Sequence, residues 1–336
     1  MDTPAPLPER SAVTPDQFRE EIVPAGQPVI LRGIVADWPL TQAARRSTAE
    51  AVDLLKSSAT NQPVTISQLP PEARGRFFYQ DDMRLLNFSE GRATFARFVD
   101  ALRAVDDGRT LYMASTPARE AFPSIADMFD LPHVPSDAPP RIFIGNKTVV
   151  STHNDGASNI ATTPAGRRTF TLFAPEQVAN LYPGPIEHTP AGPQMSMVDI
   201  GAPDHDRYPR FEDAWASARQ GVLEAGDGIY IPPLWWHDVR AHEDFNILVN
   251  YWWRDRPEIS REPMEAFVLS LLSVRQLPEA EREAWRAMFD YFVFKTNGAP
   301  MDHLPDDYRG VLGPITEARA GQIWEFFQGL VSERGA

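Results

Sequence analysis

Ser151-Thr152-His153-Asn154-Asp155 and, further along, Trp235-Trp236-His237 are the stretches on which the reading of this chain turns. Side chains two apart on a strand point to the same side. His153 and Asp155, at the end of a candidate strand, therefore face a common point. His237 lies in a later candidate strand, and two strands facing each other across a barrel bring it to the same place. Two imidazoles and one carboxylate make the facial triad that suits iron(II) and leaves coordination positions open. By itself an H-x-D triplet is a weak signal, because such triplets arise by chance. A histidine beside two tryptophans is also compatible with a packed, hydrogen-bonded ring. The other histidines (His133, His188, His205, His242 and His303) have no comparable setting and read as loop or surface residues.

Around these motifs the pattern is that of short strands separated by turn signals. Candidate strands are Arg141–Ile144, Thr148–Thr152, Asn159–Thr162, Thr169–Phe173, Met195–Asp199, Gly228–Ile231, Trp236–Arg240 and Asn246–Trp252, with one helical insert at Phe211–Arg219. Such a run predicts a mainly β fold with α elements, a double-sheet jelly roll of the cupin-barrel kind. Before it comes a mixed lead-in. Residues 1–14 are Pro-rich and predict little order. Strands are expected at Pro28–Leu31, Val64–Ile66, Arg76–Tyr79 and Leu111–Met113. Ser47 and Thr94 precede amphipathic helices as N-caps. After Asp255 the pattern is helical over Pro263–Val274, Glu279–Phe292 and Ile315–Val331, with apolar stripes such as Phe267, Leu269 and Leu272. The expected organisation is a lead-in over 1–139 that completes the barrel, a jelly-roll core over 140–255 and a helical region over 256–336.

Composition narrows the function classes. The chain has 336 residues, 43% of them hydrophobic, which is ample for a large core. There is no cysteine, which excludes disulfides, thiolate zinc sites and cysteine nucleophiles. A net charge of -14 stands against general nucleic-acid binding and against an anionic membrane surface. MDTPAPLPER carries no apolar leader, and no run approaches the ~20 apolar residues that span a bilayer. The expected location is the cytoplasm.

From about Ile144 to Trp253 the chain resembles the JmjC-type, cupin-fold 2-oxoglutarate oxygenases, the group that includes the asparaginyl hydroxylase of hypoxia-inducible factor. The matching residues are His153-Asn-Asp155, Asn159, Gly166, Phe173-Ala-Pro-Glu-Gln177, Leu181-Tyr-Pro183, Asp199 and Tyr208-Pro-Arg-Phe211. They continue through Gly226-Asp227, Tyr230-Ile-Pro-Pro233, Trp235-Trp236-His237 and Val249-Asn250-Tyr-Trp252. The lead-in matches more loosely, through Pro28-Val-Ile-Leu-Arg-Gly33, Trp38-Pro39 and Leu111-Tyr112.

The resemblance implies an iron(II)- and 2-oxoglutarate-dependent dioxygenase. It would hydroxylate a protein or peptide side chain or a small molecule while 2-oxoglutarate is oxidised to succinate and carbon dioxide. It assigns the metal to His153, Asp155 and His237. Where the family commonly has a lysine for the far carboxylate of 2-oxoglutarate, this chain has Arg168. Strand alternation independently groups Arg168 with Phe170 and Leu172 on one face. Arginine's planar fork suits a carboxylate, although it is longer than lysine. Tyr112 and Ser151 resemble hydroxyl residues that meet the same carboxylate. At Ser151 the match slips by one, so Thr152 or Val150 are alternatives. Asn159 and Asn250 resemble asparagines beside cosubstrate and metal. The resemblance, with the apolar stripes, also implies a homodimer through the C-terminal helices. Two other readings are a catalytically silent cupin scaffold, favoured by the arginine, and a non-oxidative metal cupin, disfavoured by the shortage of histidines near His153.

Overall fold

The computed structural model describes residues 2–190, 192–255, 259 and 262–334. Among the described residues fifteen strands form two sheets. They are β1 (Ala5–Pro6), β2 (Glu9–Ser11), β3 (Val29–Arg32), β4 (Val64–Leu69), β5 (Arg76–Phe77), β6 (Ser89–Ala93), β7 (Thr110–Pro117) and β8 (Pro140–Gly145). The series continues with β9 (Val149–Asn154), β10 (Ser158–Ala165), β11 (Arg168–Phe173), β12 (Arg219–Leu223), β13 (Gly228–Ile231), β14 (Trp236–Ala241) and β15 (Asn246–Trp253). One sheet runs β1-β12-β11-β14-β9-β5 and the other β2-β3-β13-β10-β15-β8-β7-β4-β6. The chain divides into two compact units, 1–254 and 255–336. Both sheets belong to the first, and the lead-in strands extend both of them.

Between the sheets lies an apolar layer that includes Ile30, Phe170, Leu172, Ile229, Ile231, Val239 and Leu248. The outer face of the larger sheet is covered by helices Pro39–Arg46, Thr48–Ser58 and Phe95–Arg103. This explains why β10, SNIATTPA, shows no polar alternation: it is covered on both faces and every residue is buried. Ser47 caps Thr48–Ser58 by accepting from the Glu50 amide, and Thr94 caps Phe95–Arg103. The latter helix buries Phe95, Phe98, Val99 and Leu102.

Several sequence expectations change. Met195–Asp199 is not a strand; Met195 and Ser196 make only isolated bridges, to His153 and Pro183. The insert is helical only over Phe211–Ala216, and the chain then enters β12, whose R-Q-G-V-L pattern gave no strand signal. Residues 1–14 carry β1 and β2, held by backbone pairing with β12 and β3 and by the buried Leu7. β6 and the helix Pro39–Arg46 were also silent in the sequence. Residues 256–258, where the expected third region begins, lie outside the described residues.

The second unit contains helices Pro263–Ser273, Glu279–Phe292 and Glu317–Arg334. The first two bury no residue, and Leu272, Phe294 and Phe326 are exposed. Among the described residues no helix is long and apolar enough to cross a membrane.

The turn from β10 to β11 depends on Gly166, at φ +79°. A Cβ there would sit 2.3 Å from Asn246 Oδ1, and that amide is itself pinned by donating to the Glu243 carbonyl. Gly166→Ala should cost about 2–4 kcal/mol. In a unit of this size that lowers the thermal midpoint by roughly 5–10 °C; an unchanged midpoint would mean that this turn carries no such constraint. On β14, His237 and Val239 face between the sheets, while Asp238 and Arg240 face away. Burial pushes the Asp238 carboxyl up to about 6, against the opposing pull of Arg240, whose Nε donates to it at 2.9 Å. A carboxyl raised in the fold adds stability below its unfolded pKa and loses it as pH rises through the folded value. In metal-free protein, Asp238→Asn should therefore gain on the parent between pH 4 and 6 and level off above. The total is on the order of 3 kcal/mol, and a pH-independent difference in thermal midpoints would contradict it.

Candidate metal centre and cosubstrate cavity

The centre is built by the pairing of β9 with β14. His237 lies opposite His153, and Val239 lies opposite Val150, so β9 spends three residues where β14 spends two. This β-bulge reverses the side-chain parity of β9. Val150 and His153 both point between the sheets, although they are an odd number of residues apart. The two imidazole rings lie 4.2 Å apart, centroid to centroid. Asp155, just past the strand end, brings its Oδ2 to 3.8 Å from His237 Nε2. One ligand atom from each of His153, Asp155 and His237 falls within 4.8 Å of the others.

Both rings are oriented in the same way. Nδ1 of His153 donates to the Ser151 carbonyl at 2.9 Å, and Nδ1 of His237 to the Trp235 carbonyl at 3.0 Å. That fixes the proton on Nδ1 and leaves each Nε2 lone pair for a metal. Burial lowers the His237 pKa to about 4, with the neighbouring His153 acting in the same direction, so the ring is neutral at physiological pH. Two imidazole nitrogens and one carboxylate, converging beside a cavity, are a donor set that fits a divalent transition metal.

The cavity has a volume of about 280 Å³. Its far end holds Arg168, which is 1% exposed, with Nε and Nη2 lacking any partner. Burial lowers its pKa to about 10, so the side chain is still cationic at neutral pH. A buried charge without a counter-charge is costly, and here it points into an open cavity. Tyr112 lies alongside, its hydroxyl pushed up to about 12 by burial. Asn159 and Asn250 also line the cavity, each with an unpartnered Oδ1.

Ser151 is not brought into this cavity. Its hydroxyl donates to the Phe77 carbonyl and accepts from Arg76 Nε on the other face, and Val150 lines the cavity instead. The bulge is the reason, and nothing in the sequence announced it. Residues that sequence reasoning did not place here include Phe143 and Met195. Trp252, which closes the matching Val249-Asn250-Tyr-Trp252 stretch, donates from Nε1 to Asp155 Oδ2 at 2.9 Å. A larger cleft, of about 540 Å³, lies across the same sheet on its outer face, around Arg76, Asp199 and Arg240, away from the triad.

Comparison with known proteins gives this geometry a family. The model of the cupin-like domain matches residues 15–259. The chain is 27% identical over 322 residues to tRNA wybutosine-synthesizing protein 5 of Danio rerio, covering 90% of this chain and 88% of that one. Over 263 residues it is 23% identical to lysine-specific demethylase 8 of Xenopus tropicalis, covering 75% and 54%. Over 246 residues it is 25% identical to JmjC domain-containing protein D of Dictyostelium discoideum, covering 67% and 51%. The chain belongs to the cupin-like, JmjC-type family of 2-oxoglutarate-dependent oxygenases.

Proposed function

We propose that His153, Asp155 and His237 hold iron(II), that Arg168 anchors 2-oxoglutarate, and that the enzyme hydroxylates a group on a protein, peptide or small molecule. The observation that carries this reading is the unpartnered Arg168 guanidinium in the same cavity as the triad. When bound, the metal and the 2-oxo acid supply the oxidising chemistry, with dioxygen as the oxidant and succinate and carbon dioxide as the products.

The chain's own residues bind and orient. Arg168 offers two free N–H groups to the distal carboxylate, a charge-assisted pairing that the low-polarity surroundings strengthen. Tyr112 contributes a hydroxyl beside it, held protonated by burial. Val150, Phe170, Val239 and Leu248 wall the middle of the cavity and keep water from it. Asn159 and Asn250 present amides toward bound oxygens. Each histidine's Nδ1–H is occupied by a carbonyl, so each ring is oriented to offer Nε2 to the metal.

One relative is named for tRNA wybutosine synthesis and another for lysine demethylation. The charge of -14 favours a protein or small molecule over RNA, so a tRNA belongs in the assay panel as the contrasting substrate. The exposed apolar residues of the C-terminal helices, Leu272 and Phe294 among them, support a homodimer formed through these helices.

Three outcomes are expected. Asp155→Ala abolishes iron-dependent succinate formation while leaving the circular dichroism spectrum unchanged; surviving turnover would remove the triad assignment. Arg168→Met raises the KM for 2-oxoglutarate by about 30-fold or more, as loss of a buried charge-assisted pair requires, and an unchanged KM would place the acid elsewhere. Leu272→Glu converts a dimer to a monomer in sedimentation, whereas a parent that sediments as a monomer would refute the dimer.

A further inference from the structure

Trp252 supports an inference that rests on the metal site proposed above. It belongs to β15 in the larger sheet, opposite Asn159 in register. Its indole Nε1–H reaches across to the smaller sheet's strand end and donates to Asp155 Oδ2 at 2.9 Å. That oxygen is also the one 3.8 Å from His237 Nε2. Asp155 lies past the last residue of β9, where ladder pairing no longer holds the chain, and its carbonyl is fixed by the Leu234 amide at 2.7 Å. Its side chain would otherwise turn freely about two torsions. Among the described residues the indole is its one side-chain hydrogen-bond donor. The indole is itself held by the ring of Phe143, packed edge-on at 6.0 Å and 73°.

We propose that Trp252 is the positioning residue for Asp155. The N–H occupies one lone pair of Oδ2 and sets the plane of the carboxylate, so that Asp155 meets the metal through a single oxygen in a preset orientation. A carboxylate free to rotate would offer both oxygens to a divalent ion and close one of the positions that cosubstrate and dioxygen require. The N–H also draws charge from the ligand oxygen, while the neutral indole avoids the competing salt bridge that a lysine or arginine would form with it. Outer partners of this kind typically account for 10–100-fold in metal affinity.

The test uses cobalt(II) as the probe, with the full chain and its Trp252→Phe variant, which keeps an aromatic ring and removes the N–H. Cobalt affinity should weaken by about 10-fold or more, and the visible d–d spectrum should change as the carboxylate alters its binding mode. The thermal midpoint of the metal-free variant should stay within a few degrees of the parent. Equal affinity and an identical cobalt spectrum in parent and variant would overturn the role of Trp252 while leaving the triad intact. A parent that binds no cobalt would overturn the metal site and this inference together. If the variant does not fold, the 15N-labelled indole of Trp252 in the parent decides. Slow exchange and a shift of its N–H signal on adding zinc(II) support the role, and exchange at the rate of a free indole, unaffected by zinc, refutes it.

Discussion

The pairing of β9 with β14, with one extra residue on β9, is the constraint on which the centre depends. Without the bulge, His153 would follow the parity set by Val150 and point to the outer face, and the two imidazoles would lie on opposite sides of one sheet. With it, a hydrophobic wall at Val150 and the imidazole of His153 share the inner face. The bulge also turns Ser151 outward, where its hydroxyl closes a contact with Arg76 and Phe77. A local irregularity in one strand thus decides both which residues line the cavity and which do not.

The cavity's electrostatics follow from its burial. Enclosure holds His237 neutral, and carbonyl acceptors at Nδ1 of both histidines leave their Nε2 atoms facing the cavity. Arg168 is held charged despite enclosure, since even a lowered pKa of about 10 lies well above neutrality. An end with two imidazoles and a carboxylate and a cationic end in one cavity of about 280 Å³ suit a ligand that chelates a metal at one end and is anionic at the other. An arginine is longer than a lysine and offers a second donor nitrogen in a planar fork. Both of its unpartnered nitrogens point to a carboxylate as the group that completes the site.

Much of this was legible in the sequence because it depends on short-range periodicity. The i, i+2 spacing of His153 and Asp155 and the alternation of Arg168, Phe170 and Leu172 gave the inward faces of two strands. The caps Ser47 and Thr94 gave helix starts. What was not legible depends on pairing between distant segments. Register between β9 and β14 is a tertiary property, so the exclusion of Ser151 could not be read. β12 and β6 are strands because neighbours pair with them, and neither R-Q-G-V-L nor S-E-G-R-A carries an alternation of its own. Met195–Asp199 has strand-like composition but meets β9 at one bridge only. The hydrogen bond from Trp252 to Asp155 joins two sheets and has no sequence signature.

The central claim is that one cavity holds a metal at His153, Asp155 and His237 and a dicarboxylic 2-oxo acid whose far end pairs with Arg168. A crystal structure of the protein with manganese(II) and 2-oxoglutarate, grown without oxygen, tests it most directly. The account predicts metal density bound by Nε2 of both histidines and by the Asp155 carboxylate, with the distal carboxylate of the acid on the Arg168 guanidinium. Metal bound elsewhere, or an acid that leaves Arg168 unpaired, would contradict it.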